Sequence, residues 1–179
     1  MRTKLNSIGG SSGHASITLA RAFENLHFIV QDLPEVIETS KRQAVGLEND
    51  IQNRVTFEGY SFVDQQPVQD ADVYLLRMIL HDWADQEARI ILQNVHDAMK
   101  PGARLIIMDT ASPDSGTISP PQESQLRVRD LTMRETFNAH EREMEEWANL
   151  LKDVDQDWCI KGAVSPFGSK LSVMEVAFS

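Results

Sequence analysis

Short apolar blocks alternate along this chain with longer stretches in which apolar residues recur every three or four positions. The blocks have the pattern of buried strands, the stretches that of amphipathic helices. The most apolar block is Asp72-Val-Tyr-Leu-Leu-Arg-Met-Ile-Leu-His-Asp-Trp83, nearly uninterrupted, as in a strand buried on both faces of a parallel sheet. It ends in His81, Asp82 and Trp83, a proton carrier, an anion and a flat aromatic surface. Open α/β sheets bind ligands outside the carboxyl ends of their strands, which puts these side chains at the crevice. The plainer alternative is that His81 caps the strand and Trp83 covers core.

Upstream, residues 5–8 read as a short strand, weakened by Lys4, Asn6 and Ser7 where a central strand prefers hydrophobes. Gly9-Gly10-Ser11-Ser12-Gly13-His14 follows, and 15–23 reads as a helix with Ile17, Leu19 and Ala20 inward. Strand, glycine turn and helix form the context in which such a loop lets a ligand approach the main chain, although many tight turns look alike. A second strand spans 27–33, and Pro34 opens a helix at its favoured first position. Asp32 lies about 20 residues beyond the loop, where dinucleotide-type sites place an acid on ribose hydroxyls. A carboxylate can accept from both hydroxyls; capping the next helix is the competing role.

A third strand covers 54–57. Asp85 caps a helix through Lys100 with Ile90, Ile91, Val95 and Met99 on its apolar face, and Pro101-Gly102 stops it. A strand over 103–109 ends in Asp109. Alternating strands and helices imply right-handed crossovers and a parallel sheet. Residues 112–123 turn to Ser, Pro, Gly and Asp, a surface loop. Helices are expected over 125–137 and 142–152, the second with Met144, Trp147, Leu150 and Leu151 inward. Runs over 158–164 and 170–178 around Pro166-Phe-Gly-Ser169 make a closing antiparallel hairpin.

A length of 179 residues suits one domain, 1–179, and 41% hydrophobic with 25% charged residues is ordinary for a globular protein. A net charge of −10 gives no electrostatic case for nucleic acid or an anionic membrane. No apolar run approaches membrane-spanning length, and the first residues lack the apolar core of a signal peptide. Cys159 is the only cysteine. It excludes an intrachain disulfide, favours a reducing, cytoplasmic setting, and reads as a small core residue rather than a nucleophile. No Cys/His cluster offers a metal site, and no serine sits in a hydrolase elbow.

The glycine turn, Gln31-Asp32-Leu-Pro-Glu-Val-Ile37, Leu-Leu-Arg-Met-Ile-Leu-His-Asp-Trp83, Met-Lys-Pro-Gly-Ala-Arg-Leu105, Asn138-Ala-His-Glu-Arg142 and the hairpin occur together in one family. From about Ile8 onward the chain resembles the C-terminal catalytic domain of S-adenosyl-methionine-dependent O-methyltransferases, of the plant caffeate/flavonoid and fungal secondary-metabolite type. The resemblance implies a Rossmann-like class I methyltransferase fold, α/β, with a mostly parallel sheet and an antiparallel C-terminal hairpin. It implies methylation of a hydroxyl on a small aromatic compound. Gly9, Gly10 and Gly13 would pass under the methionine part of S-adenosyl-L-methionine, Asp32 would hold the ribose, Ser61 and Phe62 would stand at the adenine, Arg77 nearby, and Trp83 against the ring. His81 would be the general base, flanked by Asp109 and Glu141; Met133 and Asn138 would line the substrate.

Three departures from the family pattern bear on this. The long N-terminal helical domain that builds the dimer and part of the pocket is not in the chain, so a homodimer or helper chain would have to supply it. The acid expected before the glycine loop is Ser7, and the one expected near the adenine amine is Ser61. Losing two charge-assisted hydrogen bonds, each worth roughly 1.5–3 kcal/mol, would weaken cofactor binding. A methyltransferase-like domain with another activity, such as a cyclisation, or an inactive fragment are the alternatives.

Overall fold

The computed structural model describes residues 2–111, 128, 141–167, 169 and 171–178. They divide into two compact units, Met1–Arg77 with Asn94–Ile106, and Met78–Gln93 with Ile107–Ser179. In the first, β1 (Thr3–Ile8), α1 (His14–Ala22), β2 (Leu26–Asp32), α2 (Pro34–Ala44), the single turn α3 (Asn49–Gln52), β3 (Val55–Gly59) and β4 (Val73–Arg77) follow in order. β1 pairs in parallel with β2 and β4, and β2 with β3.

The polar residues of β1 are taken into the sheet. Asn6 and Gln31 are fully buried, and Asn6 Nδ2 donates to Gln31 Oε1 at 2.9 Å across the β1–β2 pair. That bond offsets part of the cost of burying the two amides, while Asn6 Oδ1 and Gln31 Nε2 have no hydrogen-bond partner among the described residues. α1 buries Ser16 and Ala20, while Ile17 and Leu19 are only half-buried; its inner face is lined by small residues. α2 opens on Pro34 as expected, with Glu35 in its first turn and Lys41 and Arg42 in its last, charges that suit the helix dipole. Its N-cap is Leu33, so Asp32 is not the cap.

In the second unit the long apolar block is not a single strand. β4 ends at Arg77, Met78 adopts a left-handed φ of 54°, and Leu80–Asp82 forms one 3₁₀ turn. The Met78 N–H donates to Met108 O at 3.0 Å. His81 thus rides on a helical turn beyond the strand rather than capping it. α4 (Asp85–Ala98) begins at Asp85, which is its first residue and not its cap. Its buried residues are Ala88, Ile91, Leu92, Val95 and Ala98, whereas Ile90 is 46% exposed. The apolar row follows 88, 91, 92 and 95 because those positions share a helical face and 90 does not.

β5 (Arg104–Asp109) buries Leu105, Ile107 and Asp109 in strict alternation. α5 (Met144–Val154) starts on a capping box in which the Glu143 N–H donates to Glu146 at 2.8 Å, and it buries Trp147, Leu150 and Leu151; Met144 is half-buried. β6 (Trp158–Val164) and β7 (Ser172–Phe178) form the antiparallel hairpin, with a register irregularity between Ile160 and Gly162. Cys159 is half-buried on β6, not in the core, its thiol 3.7 Å from Ala177 O. The seven strands are ordered β3-β2-β1-β4-β5-β7-β6, the α/β architecture expected. The expected loop over 112–123 lies outside the described residues, as does the expected helix over 125–137 except for Val128, which is helical and exposed. Among those described, no helix is long and apolar enough to cross a membrane.

Candidate active site

Two groups of the expected residues are brought together, one in each unit. In the first unit the glycine loop leaves β1 with Gly9 at φ 64°, Ser11 at 51° and Gly13 at 74°. A Cβ on Gly10 would stand 2.7 Å from Val30 Cγ1 and 2.9 Å from Ser7 Oγ, and one on Gly13 would stand 2.9 Å from Phe57 Cε1. The loop therefore presses directly on the strands, an approach only glycine permits. The Gly10 N–H donates to Gln31 O at 2.9 Å, and the Ser11 N–H to Asp32 Oδ2 at 2.8 Å. Ser40 Oγ donates to Ser11 O at 3.1 Å from α2.

Asp32 joins three segments. Besides Ser11, its Oδ1 accepts from the Leu33 N–H at 2.8 Å, and its carbonyl accepts from the Tyr60 N–H at 2.8 Å. That last bond ties down the start of the loop carrying Ser61 and Phe62, whose far side is pinned where Asn94 Nδ2 donates to Phe62 O at 3.1 Å. Ser61 and Phe62 are half-buried. Each carboxylate oxygen of Asp32 receives one N–H here and has a second lone pair free in principle for a hydroxyl. This pair of acceptors, with the glycine loop beside it, fits a ribose with vicinal hydroxyls. Ser7, in place of an acid, is buried under the loop. Arg77 is half-buried at the end of β4.

In the second unit His81, Asp109 and Glu141 converge from three parts of the sequence. His81 is 7% exposed, Asp109 fully buried and Glu141 5% exposed. Nδ1 of His81 lies 3.9 Å from Asp109 Oδ1 and 3.8 Å from Glu141 Oε1, and Nε2 lies 3.5 Å from Asp82 Oδ1. Asp109 is itself held by the His81 N–H at 3.2 Å and the Thr110 N–H at 2.9 Å. Glu141 raises the His81 pKa above its ordinary value; burial opposes it, and Asp109 and Asp82 add to the rise. Burial pushes the Asp109 carboxyl up, against the pull of His81 and of the two N–H groups. Two buried carboxylates stand on the Nδ1 side against the more exposed Asp82 on the Nε2 side, a balance that favours the proton on Nδ1 and a lone pair on Nε2.

This geometry can orient and deprotonate a weakly acidic hydroxyl. Residues 2–155 match the profile of the O-methyltransferase domain family. The chain belongs to that family. It is 51% identical over 171 residues to the O-methyltransferase VdtC of Byssochlamys spectabilis, covering 94% of this chain and 40% of that one. Among solved structures, LepI in complex with SAM superposes with a TM-score of 0.85 at 26% identity, covering 99% of this chain and 43% of that one. The mitomycin 7-O-methyltransferase MmcR gives a TM-score of 0.85 at 25% identity, over 99% and 49% respectively. The chain thus spans about two fifths of the length of VdtC, and the fold class expected from the family resemblance is the one observed.

Trp83 is half-buried, and its carbonyl is engaged by Arg142. Met133 and Asn138, expected at the substrate, lie outside the described residues. Four residues that hold one or the other of these groups in place give no sign of it in the sequence. Ser11 acts through its backbone amide, Tyr60 likewise, and Asn94 lies on the polar side of a helix, so none gives a signal in sequence. Arg142 lies between Glu141 and Glu143, a setting that reads as solvated surface charge.

Proposed function

We propose that the chain, residues 1–179, is the catalytic domain of an S-adenosyl-methionine-dependent O-methyltransferase acting on a hydroxyl of a small aromatic secondary metabolite. The observation that carries this is the buried His81 with two carboxylates on its Nδ1 side. Gly9, Gly10, Gly13 and Asp32 would hold S-adenosyl-methionine, together with Ser61, Phe62, Arg77 and Trp83. When bound, it supplies a methyl group on a sulfonium, whose leaving group, the neutral thioether of S-adenosyl-homocysteine, needs no acid to depart.

His81 takes the phenolic proton at Nε2, so that the substrate oxygen becomes a competent nucleophile. Asp109 and Glu141 fix the ring and stabilise the imidazolium that results. Met133 and Asn138 belong to the substrate-facing side in this proposal. A homodimer or a helper chain completing the aromatic pocket is part of the same reading, supported by the greater length of the relatives.

The test is to incubate the purified chain with S-adenosyl-methionine carrying a labelled methyl group and a panel of hydroxylated aromatics. Label transferred to a phenolic oxygen, with S-adenosyl-homocysteine binding unaltered in His81→Gln but transfer lost, is the expected result. A folded chain that binds no S-adenosyl-homocysteine overturns the reading. One that binds it yet converts a substrate without change of mass points to a repurposed domain.

A further inference from the structure

We propose that Arg142 is a positioning residue that sets His81 and Glu141 against each other. The inference rests on the reading of His81 as the base. The Arg142 side chain is 1% exposed. Its Nη1 donates to Leu80 O at 2.8 Å and its Nη2 to Trp83 O at 2.8 Å, the carbonyls on either side of the turn that carries His81. Nε and Nη2 also reach Asp85 Oδ1, at 3.0 and 2.8 Å, so the charge is compensated at the first residue of α4. The guanidinium carbon lies 5.1 Å from the centre of the Trp147 ring, and Trp147 Nε1 donates to Thr110 O at 3.1 Å, next to Asp109. Glu141 is the preceding residue in the chain. Arg142 thus holds the turn of His81 directly, adjoins Glu141 in the chain, and reaches the Asp109 segment through Trp147.

Only a planar fork makes these bonds at once. A lysine ammonium is a point donor on a flexible stem and cannot span Leu80 O, Trp83 O and Asp85 together. The His81–carboxylate distances of 3.8 and 3.9 Å are those of ion pairs rather than hydrogen bonds. At such distances the carboxylates leave the ring some freedom, and the turn beneath it is held by the Arg142 bonds to Leu80 O and Trp83 O. Among the described residues the charged groups facing His81 are Asp82 on its own turn, Asp109 on β5, and Glu141 beside Arg142 ahead of α5.

The deciding experiment compares Arg142→Lys with the wild-type chain, with Asp85→Asn as the gentler variant. Folding is checked by near-ultraviolet circular dichroism, and cofactor affinity by titration with S-adenosyl-homocysteine. Two further readouts are the pH dependence of methyl transfer and the titration of the His81 ring by NMR, assigned with His81→Gln. The expected result is a folded Arg142→Lys whose kcat falls about 10- to 100-fold, far more than its S-adenosyl-homocysteine affinity. Its acidic limb and its His81 titration both move to lower pH as the ring drifts from Glu141 and Asp109. Asp85→Asn gives smaller changes of the same sign. A folded Arg142→Lys with the wild-type His81 titration overturns the proposal, whether or not kcat has dropped. Should Arg142→Lys fail to fold, an unmoved His81 titration in Asp85→Asn overturns it instead. If the wild-type chain transfers no methyl group, the proposed function falls, while the ring titrations still decide the role of Arg142.

Discussion

In the glycine loop the holding donors are backbone amides: Gly10 N–H donates to the Gln31 carbonyl and Ser11 N–H to the Asp32 carboxylate, each bond bridging 21 residues. At the His81 turn the holding is done by side chains from far along the chain, Asp109 28 residues away and Arg142 62 from Leu80. The loop is therefore sensitive where a Cβ would collide and where the Asp32 carboxylate is removed. The histidine turn leans on more side chains, the Asp109 carboxylate and the Arg142 guanidinium, beside the one backbone bond from Met78 to Met108. The comparison predicts binding defects from the first region and rate defects from the second.

His81→Gln is the sharpest way to break that division. Removing a general base costs about 10²- to 10⁴-fold in rate, and transfer should fall by at least that lower figure, with S-adenosyl-homocysteine affinity preserved in calorimetry. Asp32→Ala should do the reverse. A hydrogen bond to a charged group is worth about 1.5–3 kcal/mol, so affinity should drop about 10- to 100-fold. Its kcat at saturating cofactor should stay near that of the wild-type chain. Equal losses of kcat and affinity in both variants would dissolve the distinction.

The two regions were also unequally legible in the sequence. The loop could be read because its geometry is local: Gly9, Gly10 and Gly13 announce the turn, and Asp32 follows at a spacing set by one helix and one strand. The His81 region could be read only in part. The apolar block 72–83 suggested one long strand, yet it is broken at Met78, whose positive φ no local residue type foretells. The pairing of His81 with Asp109 and Glu141 came from family resemblance and not from spacing, since three distant segments have no shared periodicity. Arg142 was hidden by its acidic neighbours. Ile90 was assigned to the core of α4 because apolarity alone does not separate it from Ile91; the helical row through Ala88 and Val95 does.

Gly13→Ala sharpens the backbone side of the comparison. The substitution meets both a φ of 74° and a contact of 2.9 Å with Phe57 Cε1. A left-handed residue costs about 1–2 kcal/mol and overpacking typically about 1–3, so urea unfolding should show a loss of about 2–5 kcal/mol. Gly102→Ala is the control, because its φ is 81° but a Cβ there meets nothing within 4 Å; it should lose only about 1–2 kcal/mol. Equal losses at the two positions would mean that the loop's close approach to β3 contributes nothing.

Glu141→Gln has the smallest effect and tests the electrostatic side. Glu141 is the largest influence raising the His81 pKa, ahead of burial, which lowers it. His81 must be neutral to accept a proton, so wild-type activity rises as pH climbs through a value above about 6.5, the ordinary histidine pKa. Replacing the carboxylate by an isosteric amide removes the raising influence and leaves the burial, so the acidic limb should move to lower pH. The same sign governs stability. The charged pair contributes fully below the unfolded histidine pKa, and that contribution is lost as pH rises through the raised folded value. Glu141→Gln should therefore be less stable than the wild-type chain in mild acid, with the difference narrowing as pH rises past the folded His81 pKa. Above the limb its kcat should be lower as well, because the imidazolium formed during transfer has lost one of its two carboxylates on the Nδ1 side. An acidic limb that stays in place would assign the raised pKa to Asp109 and Asp82, and would leave Glu141 the task of orienting the ring.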